Sequence, residues 1–236
     1  MNNEDLQFKS GNPGAVKHGN FINYYQFHPP ENRINLLPDD IWNIGNVVDN
    51  SFVALDIGCN AGDLTASLKQ FLDKATKRNC VILGVDIDNT LIDRANEKNN
   101  TNELTFKCLD VTRIKERDEL FKSYLSKYNR SKFDGVFCFS TTMWIHLNHG
   151  DLGLTTFLND ISQLGEYLLI EPQPWKCYRS ALKRLKSYKT IFKEYENLKM
   201  RTDVEEKIED ILMRTGRRKV WESERTKWDR KLLCFN

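Results

Sequence analysis

The run VALDIGCNAGDLT, Val53 to Thr65, ends an apolar stretch in a carboxylate, Asp56, and follows it with Gly58 and Gly62. Glycines in such a turn permit positive φ and let a ligand approach the backbone closely. The spacing is not G-x-G-x-x-G, so the phosphate cradle of a dinucleotide site is absent. A D-x-G-x-N-x-G turn, with Asn60 inside it, suits a ligand that carries an amine and no phosphate. The methionine part of S-adenosylmethionine fits that description. Two more carboxylates end apolar runs. Asp86, in GVDIDNT, can accept from both ribose hydroxyls, and Asp88 stands beside it; Asp110, in CLDVT, can accept from an adenine amine. One such Asp would be an ordinary turn or helix cap, but three successive strand ends after a glycine turn point to a cofactor site. An oxidoreductase is disfavoured, because the phosphate-binding turn and a hydride-transfer group are both missing.

These residues need strands to carry them. Apolar runs at FVALDI, VILGVDI, LTFKCLD, FDGVFCFS, EYLLIEP and KLLCF read as strands. Helical patterns fall between them at 63–76, 89–98, 113–128, 151–164, 177–189 and 203–214, with a further short helix expected at 38–48. In the 151–164 pattern Asp151 is placed to cap, and Leu154, Phe157, Leu158, Ile161 and Leu164 recur at helical spacing. Alternating strands and helices, with strands apolar almost throughout, predict an α/β fold with a doubly wound, mostly parallel sheet; the glycine turn and the carboxylates at its strand ends make it read as a Rossmann-like class I S-adenosylmethionine-dependent methyltransferase. Residues 1–17 are polar, Gly/Pro-containing and aperiodic, so a disordered tail is expected there. Residues 18–236 then form a single domain, which opens with an aromatic arm at 18–37.

Composition narrows the class. The chain has 236 residues, 40% hydrophobic and 29% charged, as ordinary soluble proteins do. No apolar run approaches the ~20 residues that span a bilayer. The first twenty residues lack the apolar core of a secretory signal, so a cytoplasmic protein is expected. Six scattered cysteines, with no C-x-x-C pair, read as buried free thiols in a reducing compartment; neither a disulfide framework nor a metal site is expected. The net charge of +2 is unevenly spread. Residues 171–236 carry 18 Lys+Arg against 11 Asp+Glu, and Lys176 to Lys193 holds seven basic residues and no acidic one. Such a strip either tracks nucleic-acid phosphates or is a solvated helix face.

Three stretches go further: GNFINYYQFHPPENRINLLP, STTMWIHLNHGDLGL and EPQPWKCYRSALKRL. Together with the closing WDRKLLCF they resemble the Bicoid-interacting-3 family of RNA methyltransferases, from about Gly19 to Phe235. One branch of that family caps the 5′ γ-phosphate of a nuclear small RNA. The other methylates the 5′-monophosphate of RNAs such as histidine tRNA and microRNA precursors. The sequence is similar to the second branch. It has Phe27-His28-Pro29-Pro30 in the arm and His149 where the capping branch has Trp. Met143 stands where that branch has a Lys, and an apolar thioether does not suit the extra charge of a triphosphate. The resemblance implies that Arg33 binds the methionine carboxylate and that Gly58 and Asn60 shape the methionine pocket. It further implies that Asp86 holds the ribose, that Asp110 and Val111 frame the adenine, and that Phe139 closes the site, with Tyr24 or Tyr25 on the arm side.

The implied reaction needs no strong base, since a phosphate monoester ionises a second time near pH 6. Expected phosphate-positioning residues are His146, Asn148, His149, Gln173, Lys176, Tyr178 and Arg179. Lys183, Arg184, Lys186 and Lys189 would lead the RNA body to the site. Recognition would be of shape and of the 5′ end, because A-form grooves give side chains little sequence information. The expected partner is RNA with a 5′-monophosphate end, bound by a monomer. A triphosphate-end methyltransferase and a non-catalytic RNA-binding module that kept the fold remain the alternatives.

Overall fold

A computed structural model describes residues 17–42, 51–186 and 192–236. In chain order the strands are β1 (Ser51–Ile57), β2 (Asn79–Asp86), β3 (Leu104–Cys108), β4 (Phe133–Phe139), β5 (Gly165–Glu171), β6 (Lys219–Glu222) and β7 (Leu233–Phe235). The helices are α1 (Tyr24–Phe27), α2 (Glu31–Ile34), α3 (Asp63–Thr76), α4 (Asn89–Lys98), α5 (Ile114–Ser126), α6 (Thr142–Ile161), α7 (Trp175–Lys186) and α8 (Val204–Arg214). All seven strands share one sheet, in the order β3-β2-β1-β4-β5-β7-β6. β1 through β5 pair in parallel, and β7 runs antiparallel to both its neighbours.

Side-chain alternation along a strand divides the core between the two faces of the sheet. Val53, Leu55 and Ile57 of β1 join Phe121 of α5, Leu154 and Phe157 of α6, and Ile208 of α8 on one face. Phe52 and Ala54 join Leu64, Leu68 and Leu72 of α3, Ile92 of α4, and Trp42 on the other. Because β1 and β4 are buried on both faces, their sequences carry no polar alternation.

Strand β6 is not expected from the sequence; it is a short, largely exposed edge strand with no apolar run to announce it. Residues 38–42 are not helical, and the rest of the expected 38–48 helix lies outside the described residues, as do residues 1–16 of the expected tail. The arm contains two one-turn helices. Helix α6 begins nine residues before the expected 151, and it is broken at Gly150, which takes φ 70°. Asp151 therefore does not cap a free helix start. Its carboxylate accepts from His146 Nε2 and from the backbone N–H of Lys199 and Met200. Of the six thiols, Cys59, Cys80, Cys138 and Cys234 are buried, Cys177 is half-buried and Cys108 is exposed, so burial is not general. Among the described residues no group of side chains could hold a metal ion, and no helix is long and apolar enough to cross a membrane.

Candidate active site

Strand order reverses between β1 and β4, and the carboxyl ends of neighbouring strands diverge there. A cavity opens at that point. Its wall takes Ile57 and Gly58 from β1 and its turn, Val85, Asp86 and Ile87 from β2, Leu109 to Thr112 after β3, and Phe139 to Thr141 from β4. Gly58 sits at φ 79°, and a Cβ there would stand 2.4 Å from Thr141 Oγ1. The turn thus needs glycine both for its left-handed backbone and for the approach of the β4 end.

Asp86 is one of two carboxylates on the cavity wall. One oxygen accepts from Asn60 N at 2.9 Å and the other from Asp88 N at 3.0 Å. Burial pushes its pKa up to about 6, against the pull of those backbone N–H groups. Asn60 and Asp110 also line the cavity, and Asp110 Oδ1 accepts from both the N–H and the hydroxyl of Thr112. Val111, Leu109, Ile87 and Phe139 supply an apolar slot beside them.

The arm covers this cavity, contributing Asn20, Tyr24 and Tyr25 to its wall. Asn60 Nδ2 donates to Phe21 O, Asn20 Nδ2 donates to Asp88 Oδ2 at 2.7 Å, and the Tyr25 hydroxyl donates to Cys59 O. Gly19, at φ 76°, lies so close to the Trp144 indole that a Cβ would meet it at 2.1 Å. Asn148 Nδ2 donates to Lys17 O, so Asn148 fastens the arm and does not face a phosphate.

Behind Tyr24 and Ser140 lies a buried ionic knot. Arg33 is fully buried; its Nε donates to Glu171 Oε2 at 3.0 Å, and its Nη2 donates to Tyr24 Oη at 2.7 Å and Ser140 Oγ at 3.0 Å. Burial opposes its charge, but Glu171 outweighs that and holds the guanidinium above its ordinary pKa. Arg230 Nη1 donates to the same Ser140 Oγ at 2.6 Å, and Ser140 donates to Glu171. Ser140 takes φ 55°, a left-handed backbone uncommon outside glycine, fixed here by this ring of partners. Arg33 is not on the cavity wall as the sequence reading expects, yet its Nη1 is buried without a partner. A ligand carboxylate would satisfy it.

A second cavity, about 570 Å³, adjoins the first and shares Tyr24, Ser140 and Trp144 with it. Its other walls mix aromatic and cationic groups: Phe21, Phe27, His28 and Trp228 with Lys176, Arg184 and Arg230. Met143 and Gln173 line it too. Lys176 is paired with Asp229 at 2.7 Å, and the Arg184 guanidinium lies 5.3 Å from the Phe21 ring centroid.

Several expected site residues have other work. Asp56 is not on the cofactor wall; it is buried beneath the turn, accepts from Thr65 Oγ1 at 2.6 Å, and is pushed up to about 7 by burial. Gly62 starts α3 at φ 81°, facing the Phe106 ring and not the cavity. Asp88 caps α4 through Thr90 N and latches Asn20. His146 and Tyr178 are both fully buried and satisfy each other, His146 Nδ1 to Tyr178 Oη at 3.0 Å, so neither reaches a phosphate. Gln173 touches the second cavity, but its Oε1 accepts from Thr142 and Met143 N while its Nε2 donates to Ser140 O. Its polar atoms are therefore spent on the start of α6. His149 lines the first cavity instead of the second one, and Arg179 and Lys183 are exposed outside both. Lys186 ends α7, and Lys189 lies outside the described residues. Ser140, Glu171, Trp228 and Arg230 escaped the sequence reading. A hydroxyl, an acid, an indole and a guanidinium from separate segments carry no shared local signal, and only the fold gathers them.

The strand order and a cavity with an acidic residue at the end of β2 define a Rossmann-like, S-adenosylmethionine-dependent methyltransferase. Comparison with known proteins agrees. A methyltransferase domain family matches residues 55–164, and the family described as Bicoid-interacting protein 3 (Bin3) matches residues 133–236. The bifunctional kinase-methyltransferase WbdD has the same fold, with a TM-score of 0.56 over 98% of this chain and 43% of that one, at 14% identity. The chain is 43% identical to an RNA 5′-monophosphate methyltransferase of Bos taurus, over 94% of this chain and 81% of that protein. It is 40% identical to a pre-miRNA 5′-monophosphate methyltransferase of Xenopus laevis, over 94% and 93%. The chain belongs to the Bicoid-interacting-3 family of RNA methyltransferases.

Proposed function

We infer that this protein methylates the 5′-monophosphate of RNA, with S-adenosylmethionine as methyl donor. The observation that carries the reading is the meeting of two cavities at Tyr24, Ser140 and Trp144, one with Asp86 on its wall and one rimmed by Arg230, Arg184 and Lys176. Bound S-adenosylmethionine supplies an electrophilic methyl on a sulfonium sulfur. A phosphate oxygen displaces S-adenosylhomocysteine from it, so one C–S bond breaks as one O–C bond forms. Asp86 accepts the ribose hydroxyls, Asp110 and Val111 frame the adenine, and Arg33, behind the Tyr24 and Ser140 wall, supplies the positive charge that faces the carboxylate. Catalysis then rests on alignment, holding oxygen and methyl about 3 Å apart, because the phosphate is already ionised at neutral pH.

Arg230 and Lys176 meet the phosphate, and Arg184 with the exposed Lys183 leads the RNA body in. Met143, apolar and only 3% exposed on the second cavity's wall, offers no charge for a longer phosphate chain. The substrates are small RNAs that expose such an end, histidine tRNA and microRNA precursors among them. A monomer suffices, since one chain lines both cavities, and residues 18–236 act as one domain. Free thiols suit a reducing cytoplasm. The test supplies labelled S-adenosylmethionine with one RNA bearing 5′-hydroxyl, 5′-monophosphate or 5′-triphosphate. Label on the monophosphate form alone is the expected result. Label on the triphosphate form, or none on any, overturns the reading.

A further inference from the structure

His28 lies on the wall of the second cavity, where the phosphate chemistry so far makes no use of it. It ends α1 and packs against two rings: Trp228, with centroids 4.7 Å apart and planes 19° from parallel, and Tyr24, with centroids 4.8 Å apart. The Trp228 indole N–H donates to His28 Nδ1. A neutral imidazole that accepts at Nδ1 must carry its proton on Nε2. Among the described residues Nε2 has no hydrogen-bond partner, and it is not a sealed, buried atom. The charged groups around the ring come from every neighbouring element: Arg33 of α2, Arg184 of α7, Glu171 of β5, and Arg230 just before β7. Burial first, then Arg230 and Arg33, push the imidazole down to about 4, so it is uncharged at neutral pH.

We propose that His28 presents an uncharged Nε2–H to the acceptor phosphate, and that Trp228 is a positioning residue that fixes this tautomer. The inference rests on the reading of the second cavity as the phosphate site. A dianion needs donors to orient it, yet each added cation draws electron density from the oxygen that must attack. A neutral donor on a non-attacking oxygen aligns the group with less of that penalty. No proton moves to or from the ring, so the displacement balances without it.

Two measurements test this on the full chain. Long-range ¹H–¹⁵N spectra of the wild-type protein should show His28 in the Nε2–H form from pH 8 down to 5. Its Nε2–H signal should shift on adding a short RNA with a 5′-monophosphate and stay put with the 5′-hydroxyl form. An Nδ1–H tautomer, an imidazolium at pH 7, or no shift with phosphorylated RNA overturns the proposal. In steady-state assays His28→Leu should lose about ten- to hundredfold in kcat/KM for RNA, the loss of a hydrogen bond to a charged group. His28→Gln, which keeps a neutral donor near Nε2, should recover most of that. His28→Lys should lower KM and kcat together, and Trp228→Phe should bring up an Nδ1–H population with a smaller loss. Affinity for S-adenosylhomocysteine, unchanged in all four, reports that each variant is folded. Kinetics of His28→Leu within twofold of wild type, or a His28→Lys kcat at or above it, sinks the idea. Should wild type label another RNA end instead, the function falls separately, and the spectra with that phosphorylated end still decide His28.

Discussion

Asp86, proposed above to hold the ribose, lies on the cavity wall, and its environment sets a pH signature. Its folded-state pKa of about 6 lies above the ordinary value of 3.8, so the folded protein holds this proton to higher pH than the unfolded chain. The stability it contributes is complete below about pH 4 and is lost as pH rises through 6. Asp56, pushed up to about 7, adds the same trend. Cofactor binding runs the other way, since only the ionised carboxylate accepts from two ribose hydroxyls. Calorimetry with S-adenosylhomocysteine should show affinity rising from pH 5 to 7 while the melting temperature of the free protein falls. Asp86→Asn should weaken binding by about ten- to hundredfold and flatten its pH dependence. The melting trend should survive in part, through Asp56.

At the scale of elements, a buried polar relay joins helices that periodicity alone leaves separate. Tyr178 of α7 donates to His146 Nδ1 of α6, and His146 Nε2 donates to Asp151 Oδ1 at 2.7 Å. Asp151 in turn accepts from Lys199 N at 2.8 Å. Burial lowers the His146 pKa more than Asp151 raises it, and burial raises that of Tyr178, so both are neutral and the roles of donor and acceptor are settled. His146→Leu leaves a hydroxyl and a carboxylate short of a partner, and should cost about 2–4 kcal/mol in denaturant melts. Cofactor affinity should stay within twofold, because His146 lies off both cavities. A large affinity loss at unchanged stability would instead place His146 in the site. The early start of α6 escapes periodicity for a separate reason. Met143 to Leu147 are buried nearly all round, so no amphipathic period marks them as helix, whereas residues 151–161 keep one.

Across the whole molecule, the basic C-terminal third is divided by the fold into groups with different duties. Arg217 donates to the carbonyls of Ser162 and Glu166 and so ties a loop, while Arg184 stands on the second cavity and Lys183 beside it faces solvent. Arg184→Glu should raise the RNA KM more than Lys183→Glu does. Each should reduce the slope of log affinity against log salt by up to ~0.7 per lost phosphate contact with single-stranded RNA. Unchanged slopes in both variants would make this end of α7 a solvated face. Cofactor affinity should be unaffected by either.

The sequence by itself determined the parallel strands of the sheet, the glycine turn, and the two carboxylates, Asp86 and Asp110, that line the first cavity. Each is local: an apolar run, a turn type, or an acid at the end of a strand, all fixed by residues within about ten positions of one another. Asp86 and Asp110 could be placed on the cavity because a doubly wound sheet gathers its ligands at the carboxyl ends of its strands. Asp56, likewise at a strand end, and Asp88, two residues beyond one, instead serve a hydroxyl and a helix start. Periodicity cannot see that choice, because it depends on what lies across the sheet. Only the tertiary structure decided the acceptor side. It brings Arg33, Ser140, Glu171 and Arg230 into one knot from four distant segments, and seats His28 on Trp228 across 200 positions of chain. Such contacts are set by how the arm meets the segment between β6 and β7, and no short stretch of sequence encodes that meeting.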